Sequence, residues 1–401
     1  MDLENENIMI LALSGVPFIM VLGNSMLLPE FPQIKQALNI SQFEVSLLIT
    51  VFSLAAGISI PLLGYICDKI GRIKVIVPSL LLYGAGGIVS GTAALLMDSP
   101  FTVILAGRAI QGIGAAGTAP IVMALVGDIF TSGKRSEVLG IIEAANGTGK
   151  VASPILGALI GLVSWIALFY FYALLAIPIA AGVWFLGKEG DIRDQSLKQY
   201  LKNIVEIFKN RGMALIATIT SGMLVLFVLF GLLSYFSDLL MTKYNITGIK
   251  KGLVIALPIL IMSITSFING KHLKNINKYY KAAIITGIML VGLSLGLLSF
   301  INNLYYYLAG FSLLGTGAGL ALPSVNTLVA GSTGTEQRGV ITSLYGGARF
   351  LGVAAGPPSF CALKQINTSV MYYGGAAICS AVLIFAVLFV KEKGMKPDEQ
   401  C

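Results

Sequence analysis

Twelve apolar runs, separated by shorter polar stretches, cover most of the chain. Each run has about 20 residues or more, and at about 1.5 Å of rise per residue a helix of that length crosses roughly 30 Å of hydrocarbon. The runs therefore predict an all-α integral membrane protein with 12 transmembrane helices. The predicted spans lie near residues 8–28, 44–66, 74–96, 101–127, 136–160, 163–187, 213–240, 250–269, 282–301, 304–329, 338–362 and 370–390.

One polar stretch, residues 188–212, is longer than the others and divides the spans into two sets of six. Within it, residues 196–211 place apolar side chains against several lysines at helical spacing, which indicates an amphipathic helix on the membrane surface. The expected domains are an N-terminal six-helix bundle over 1–187, a cytoplasmic linker over 188–212, and a C-terminal six-helix bundle with a short cytoplasmic tail over 213–401.

The second half of the chain repeats the first at an offset of 203 residues. The segment from Gly112 to Pro120 matches the segment from Gly315 to Pro323. Further pairs at the same offset are Arg135 and Arg338, Gly149 and Gly352, and Pro154 and Pro357. An ungapped match over this distance predicts two duplicated bundles related by pseudo-symmetry.

The composition agrees with a membrane protein, because 56% of the residues are hydrophobic and only 11% are charged. Soluble domains carry about 25% charged residues. The formal net charge of +8 does not indicate a nucleic-acid partner, since 19 lysines and arginines fall in loops on one side of the predicted membrane and 5 on the other. By the positive-inside rule, this bias places both termini in the cytoplasm and the protein in a cell membrane.

The chain offers few groups for metal or redox chemistry. Its four cysteines are scattered without paired spacing, and His272 is the only histidine. Neither a disulfide framework nor a metal site is therefore expected. The sequence has no catalytic cluster and no nucleotide-binding domain, so we expect no enzyme activity and no cofactor.

The loop after the second predicted span combines a helix end, a glycine turn and a cluster of charges. It reads Gly64-Tyr-Ile-Cys-Asp68-Lys69-Ile-Gly71-Arg72-Ile-Lys74. This run resembles the motif G-x-x-x-D-[RK]-x-G-[RK]-x-[RK] of the major facilitator superfamily. The resemblance implies a cytoplasmic latch in which Arg72 reaches an acid on a neighbouring span, and Asp128 is the candidate acid.

Two further segments resemble motifs of the same superfamily. From Arg108 to Ala116 the chain is similar to R-x-x-Q-G-x-G-A-A, and from Gly149 to Ala158 it is similar to G-x-x-x-G-P-x-x-G-G, with Ser153 and Ala158 replacing glycines. The second motif is associated with drug–proton antiporters, so the resemblance implies that branch, with a proton gradient as the driving force. The expected packing and hinge positions are Gly112, Gly149, Ser153, Pro154, Gly157, Gly352, Gly356 and Pro357.

Charged residues inside a span need an explanation, because each costs at least ~2.5–3.5 kcal/mol on insertion scales. Glu143, Asn146 and Lys150 form one polar stripe on the fifth predicted span. We interpret Glu143 as the only acid well inside a span and as the candidate proton carrier, with a structural ion pair to a neighbouring helix as the alternative. The resemblance implies a proton-linked arginine at Arg108, with a structural anchor as the alternative, and Lys150 completes the predicted proton-coupling group.

Arg349 lies near the middle of the eleventh predicted span. An arginine there suits an anionic or carboxylate-bearing substrate, or a pairing with Glu143 across the two halves. The candidate substrate-binding residues are Arg349, Asn146, Asn24, Met26, Tyr345 and Tyr235. Individually, the last four could instead be packing residues.

These features predict a secondary transporter that works by alternating access. Proton-coupled export of a small amphipathic compound or drug is the function that the resemblance favours. The alternative is a specific exporter, uniporter or symporter of an anionic metabolite, siderophore or sugar, and a non-transporting membrane receptor is a remote second. The expected partners are the substrate, protons and lipid, without nucleic acid, and the expected state is a monomer.

Overall fold

The computed structural model of the protein describes residues 3–130, 132–187, 189, 197–273, 279–300, 303–333 and 337–391. Within these ranges the chain forms helices and connecting turns, without strands. The α-helices are α1 (Leu3–Ser25), α2 (Phe31–Leu38), α3 (Gln42–Ile70), α4 (Ile73–Leu96), α5 (Phe101–Ala116), α6 (Ala119–Ile129), α7 (Ser132–Gly161), α8 (Ala167–Leu186), α9 (Leu197–Thr242), α10 (Gly248–Leu273), α11 (Tyr280–Ser299), α12 (Leu304–Gly331), α13 (Arg338–Ile366) and α14 (Thr368–Phe389).

Ten helical segments of the described residues are long and apolar enough to cross a membrane. Two of these segments are interrupted helices: α1 and α2 form one, and α5 and α6 form another. Helices α7 and α13 have 30 and 29 residues but are too polar to meet the same standard. They occupy the fifth and eleventh predicted spans, and they carry the polar stripe of the first half and Arg349.

The first span is longer than the sequence pattern predicts. A 3-10 turn, Leu28–Glu30, joins α1 to α2, and the apolar segment continues to Leu38. Pro29 and Pro32 lie at the starts of the turn and of α2, where a residue without a backbone N–H is tolerated. Because the helix changes its hydrogen bonding at the turn without leaving the apolar segment, residues beyond 28 remain inside the protein.

The helix that contains the seventh span begins well before the span, although the apolar segment itself, Gly212–Thr242, starts within one residue of the predicted position. Helix α9 runs for 46 residues from Leu197 to Thr242, so the predicted amphipathic segment and the seventh span form one continuous helix. The interval contains no proline, and nothing in its covalent structure forces a break. Residues 188 and 190–196 of the predicted linker, and the tail from 392 onwards, lie outside the described residues.

The chain folds into two compact units. The first comprises Met1–Leu197 together with Thr247–Gly252, and the second comprises Lys198–Ile246 together with Leu253–Cys401. In the first unit α4 packs against α5 and α8, α3 against α5, and α1 against α7. In the second unit α11 packs against α12 and α14, and α13 packs against α14. The boundary between the units therefore falls inside α10, whose first turn groups with the first unit while the rest of the helix groups with the second.

Glycines related by the 203-residue offset make equivalent contacts in the two units. A Cβ on Gly112 of α5 would meet the carbonyl oxygen of Phe52 on α3, and a Cβ on Gly315 of α12 would meet that of Pro258 on α10. At both glycines the neighbouring helix backbone occupies the space that the Cβ of any other residue would fill, so glycine allows the two helices to pack closely.

A second related pair behaves in the same way. The Cβ position of Gly149 on α7 lies 3.2 Å from the carbonyl oxygen of Phe18 on α1, and Gly352 on α13 faces the carbonyl of Met223 on α9. The repeat seen in the sequence thus extends to backbone packing, since the two glycines of each pair pack against corresponding helices, each within its own unit.

We expect Gly112→Leu to lower the thermal unfolding midpoint of the purified protein, measured by far-ultraviolet circular dichroism in detergent. The new side chain would have to displace the Phe52 carbonyl and the Ala55 side chain, whose Cβ is 3.0 Å from the built Cβ. Overpacking of this kind costs about 1–3 kcal/mol. Gly140→Leu on α7 is the matched control, because nothing lies within 4 Å of its Cβ position. Equal midpoints for the two variants would contradict the packing argument.

Candidate functional site

Arg108 is the largest fully buried side chain of the described protein, and it lies at the centre of the first unit. Its Nε donates to the carbonyl oxygen of Leu48 at 2.9 Å, and its Nη1 donates to Gln111 Oε1 at 2.6 Å. Its Nη2 donates to the carbonyl oxygen of Gly23 at 2.7 Å and to Asn24 Oδ1 at 3.3 Å. Side chains and backbone from α1, α3 and α5 therefore enclose the guanidinium.

The ligands of Arg108 in the described residues are neutral. Four oxygens accept its hydrogen bonds, and its Cζ lies 4.3 Å from the centroid of the Phe52 ring. Aromatic faces and carbonyl dipoles stabilise a cation without a counter-charge. The site therefore holds a desolvated positive charge by hydrogen-bond dipoles and an aromatic face.

Asn24 links this arginine to α3, since its Nδ2 donates to Ser53 Oγ at 2.8 Å. Two buried tyrosines close the site from α4 and α8: Tyr83 donates to the carbonyl oxygen of Ile19, and its ring meets that of Tyr172 edge-on at 5.5 Å. The predicted substrate residues Asn24 and Met26 are both buried, with exposures of 6% and 0%. In this conformation they belong to the interior of the unit.

The polar stripe of α7 has a different environment. Glu143 is exposed, whereas Asn146 and Lys150 are half-buried, and Asn146 Oδ1 has no hydrogen-bond partner. Within the described residues Glu143 forms neither an ion pair nor a hydrogen bond, so the alternative of a structural ion pair finds no partner here. The hydrogen bonds of Arg108 described above do not include Glu143 or Lys150, so their joint role in proton coupling stays a prediction.

The small residues of α7 lie beside this stripe and face α1. Gly149 and Gly157 leave space for the backbone of α1, and a Cβ on Gly157 would meet the carbonyl oxygen of Met26. Ser153 and Pro154 are buried between them. In the second unit Gly356 faces the carbonyl oxygen of Phe227, and Pro357 is buried in α13.

Arg349 presents a second intramembrane guanidinium, and it is half-buried on α13. Its Cζ lies 5.6 Å from the ring centroid of Tyr345, one turn earlier on the same helix. Within the described residues of the second unit, Arg349 has no carboxylate partner. Tyr345 itself is buried at 3% exposure, and its hydroxyl has no hydrogen-bond partner.

Tyr235 belongs to a buried group that the sequence pattern did not predict. The Nζ of Lys364 lies 3.2 Å from Asp238 Oδ2 and 5.0 Å from the centroid of the Tyr235 ring. Tyr235 also meets Tyr372 edge-on at 6.1 Å. The position of Asp238 within the predicted seventh span was the available signal for this ion pair.

Two other acids, Asp238 and Glu30, are buried, whereas Glu143 is exposed. Asp238 is 5% exposed, and Glu30 is 1% exposed on the turn between α1 and α2. Both lie in helical segments apolar enough to cross the membrane. Glu30 was missed because the first span was predicted to end at residue 28.

The predicted latch lies at the junction of α3 and α4. Arg72 Nε donates to Asp128 Oδ2, and Arg72 Nη1 lies 3.4 Å from Asp68 Oδ1. Burial alone would lower the pKa of Arg72, but the hydrogen bond and negative charge of Asp128 raise it above its ordinary value. The guanidinium therefore remains charged in this cluster, which joins α3, α4 and α6.

The turn that positions Arg72 depends on Gly71, whose φ of 110° is accessible mainly to glycine. Glu189 accepts hydrogen bonds from the backbone N–H groups of Arg72 and Ile73, at 2.5 and 3.3 Å. This carboxylate satisfies donors at the start of α4, where the helix dipole favours negative charge. Lys69 is exposed, and Gly64 accepts a hydrogen bond at its carbonyl oxygen from Cys67.

Comparison with known proteins agrees with this architecture. The sequence-family model of the Major Facilitator Superfamily matches residues 13–357. The bacillibactin exporter of Bacillus subtilis (strain 168) is 41% identical over 395 residues, which cover 98% of each chain. The class C tetracycline resistance protein of Escherichia coli is 25% identical over 410 residues, again covering 98% of each chain. The crystal structure of a D-xylose-proton symporter aligns with a TM-score of 0.79 at 14% identity, over 98% of this chain and 100% of that one.

The family match and the relatives along the whole chain identify the protein as a membrane transporter of small molecules rather than an enzyme. The chain belongs to the major facilitator superfamily. The predicted fold class, an all-α membrane protein of 12 helices in two related bundles, is confirmed.

We expect Arg108→Met to destabilise the protein strongly, because it removes the donors of four oxygens that have no access to water. Leaving a buried acceptor unpaired costs about 1–3 kcal/mol. The thermal unfolding midpoint and the yield of monodisperse protein after size-exclusion chromatography would report the loss. Lys198→Met, which changes an exposed lysine at the start of α9, is the control. If Arg108→Met were as stable as this control, the hydrogen bonds of Arg108 would not support the fold.

Proposed function

We propose that the protein exports bacillibactin or a similar anionic siderophore from the cell, in exchange for protons. The observation that carries this proposal is Arg349, a half-buried guanidinium inside a helix of the second unit, without a carboxylate partner among the described residues of that unit. An intramembrane charge of this kind is costly unless it serves a ligand or pathway.

The chemistry of Arg349 suits an anion with aromatic character. A guanidinium forms paired hydrogen bonds with carboxylate or other oxyanion groups, and it stacks on aromatic rings. Tyr345 lies beside it, with its ring 5.6 Å from the guanidinium carbon. The relative with 41% identity along nearly the whole chain is a bacillibactin exporter, which supports the same substrate class.

Proton-coupled efflux of drugs is the second candidate. The motif from Gly149 to Ala158 and the similarity to a tetracycline resistance protein favour it. The lower identity of that relative, 25% against 41%, favours the specific exporter. So does the positive charge of Arg349, which has no carboxylate partner among the described residues of its unit.

Glu143 is the proposed proton carrier of the transport cycle. It is exposed on α7, a helix too polar to count as an ordinary apolar span, and it has no ion-pair partner in the described residues. A carboxylate that is not committed to a salt bridge can gain and lose a proton without breaking a structural contact. We further propose that the protein acts as a monomer in a cell membrane, with both termini in the cytoplasm, as the distribution of lysines and arginines indicates.

Everted membrane vesicles that contain the full-length protein should accumulate bacillibactin when a pH gradient, acidic inside, is imposed. Arg349→Gln should raise KM by roughly tenfold to a hundredfold, since a hydrogen bond to a charged group is worth about 1.5–3 kcal/mol. Arg349→Lys should recover part of the affinity because it keeps the charge but not the paired geometry.

Arg135→Gln, an exposed arginine near the start of α7, is the matched control and should leave KM unchanged. Vesicles that accumulate tetracycline but not bacillibactin would favour drug efflux and refute the specific exporter.

Glu143→Gln should abolish accumulation driven by the pH gradient while retaining exchange of labelled for unlabelled bacillibactin at equal pH. The amide has the shape of the acid but cannot carry a proton. Glu137→Gln on the same helix, where the side chain is 60% exposed, should behave like the wild type in both assays. Full gradient-driven accumulation by Glu143→Gln would exclude this residue as the carrier.

A further inference from the structure

Glu30 is a buried acid for which the proposed transport cycle has no use. It ends the 3-10 turn between α1 and α2, and its side chain is 1% exposed. Its Oε2 has no hydrogen-bond partner. Asp238, the other buried acid described above, is paired with Lys364. A carboxylate that is desolvated and lacks a hydrogen bond at one oxygen is poorly stabilised in its charged form.

The end of α7 and the start of α10 lie close to Glu30. A Cβ on Gly161, the last residue of α7, would lie 2.5 and 2.7 Å from the two carboxylate oxygens, so only glycine leaves room for them. The next residue, Leu162, lies 3.3 Å from the Cβ position of Gly248 at the start of α10. The carboxylate and the first turn of α10 therefore meet the same end of α7.

Lys251 lies in that first turn of α10 and is 3% exposed. Close packing holds the turn in place, because the Cβ position of Gly252 is 2.7 Å from Ala158 Cβ on α7. Lys251 interacts electrostatically with Glu30. The segment Thr247–Gly252 groups with the first unit, so the lysine and the acid belong to the same compact unit.

Other charges on the elements around Glu30 have different positions. The turn packs against α2 and α7. On α2, the Nζ of Lys35 lies 3.3 Å from Gln42 Oε1. On α7, the charge nearest in sequence to Gly161 is Lys150, eleven residues earlier, or about 16 Å along the helix. Lys250, the neighbour of Lys251 in the first turn of α10, is exposed. Lys251 is thus the buried charge that interacts with the carboxylate.

We propose that Glu30 is a second proton-binding site of this transporter, with Lys251 as its counter-charge. Binding one proton converts the carboxylate to a carboxylic acid, cancels its negative charge and removes its attraction to the ammonium group. Because Lys251 belongs to the segment of α10 that groups with the first unit, protonation removes one attraction between this segment and the rest of the unit, beside the close packing of Gly252. The role of this site in coupling rests on the proton exchange proposed above, whereas the titration of Glu30 itself does not.

The test that needs no substrate is an infrared pH titration of the purified full-length protein in liposomes. The wild type should show a C=O stretching band of a protonated carboxylic acid, and Glu30→Gln should lose that band. Lys251→Met should preserve the band to higher pH, with proton binding tightened at least about tenfold, since a nearby opposite charge favours the ionised form by one or more pH units. Glu137→Gln should leave the band unchanged.

Transport by the same variants gives the second arm of the experiment. Vesicles with Glu30→Gln should exchange labelled for unlabelled bacillibactin at equal pH. Their accumulation driven by a pH gradient should be at least about tenfold lower than that of the wild type. An unchanged infrared band in Glu30→Gln, or a band in Lys251→Met that titrates as in the wild type, would overturn the proposal. If wild-type vesicles show no gradient-driven accumulation, the proposed function fails, and the infrared titration still decides whether Glu30 binds a proton.

Discussion

A charged side chain inside a membrane protein must find a counter-charge, dipoles or water, because hydrocarbon offers none of these. Arg108 is surrounded by two backbone carbonyls, two side-chain amide oxygens and an aromatic ring. Asp238 is stabilised by Lys364. Arg349 and Glu143 have no counter-charge among the described residues of their own units, and a ligand or a proton can supply it.

The neutral hydrogen-bond acceptors around Arg108 are within reach only because the helices that carry them lie close together. Two of its acceptors are backbone carbonyls, of Leu48 and Gly23, and a carbonyl on a helix can be reached only if the neighbouring helix is near. Gly23 permits that approach, since a Cβ there would lie 2.6 Å from the Phe52 ring and 3.1 Å from the hydroxyl of Tyr83. Small residues in this unit therefore serve electrostatics as well as packing.

The sequence was sufficient for the features that repeat over many residues. Long apolar runs located the spans, and the 203-residue offset identified glycines such as Gly112 and Gly315 that make equivalent contacts. It failed where tertiary structure overrides a local pattern. The predicted first span ends at residue 28, but a 3-10 turn keeps Glu30 inside the protein, and the partner of Asp238 is 126 residues away in the chain. Neither contact has a periodic signature that a single sequence could reveal.

The duplicated frame keeps its backbone contacts while the side chains at matching positions have changed. Arg108 corresponds by the offset to Phe311, which is fully buried and stacks on Phe236 with ring centroids 4.0 Å apart. Asn146 corresponds to Arg349. The first unit thus encloses its guanidinium at a position where the second has an apolar stack, and the second presents a guanidinium where the first has an amide. The charge of Arg108 is held by hydrogen bonds within its own unit and so stabilises the structure. The anion recognition proposed for Arg349 fits a guanidinium that has no carboxylate partner among the described residues of its unit.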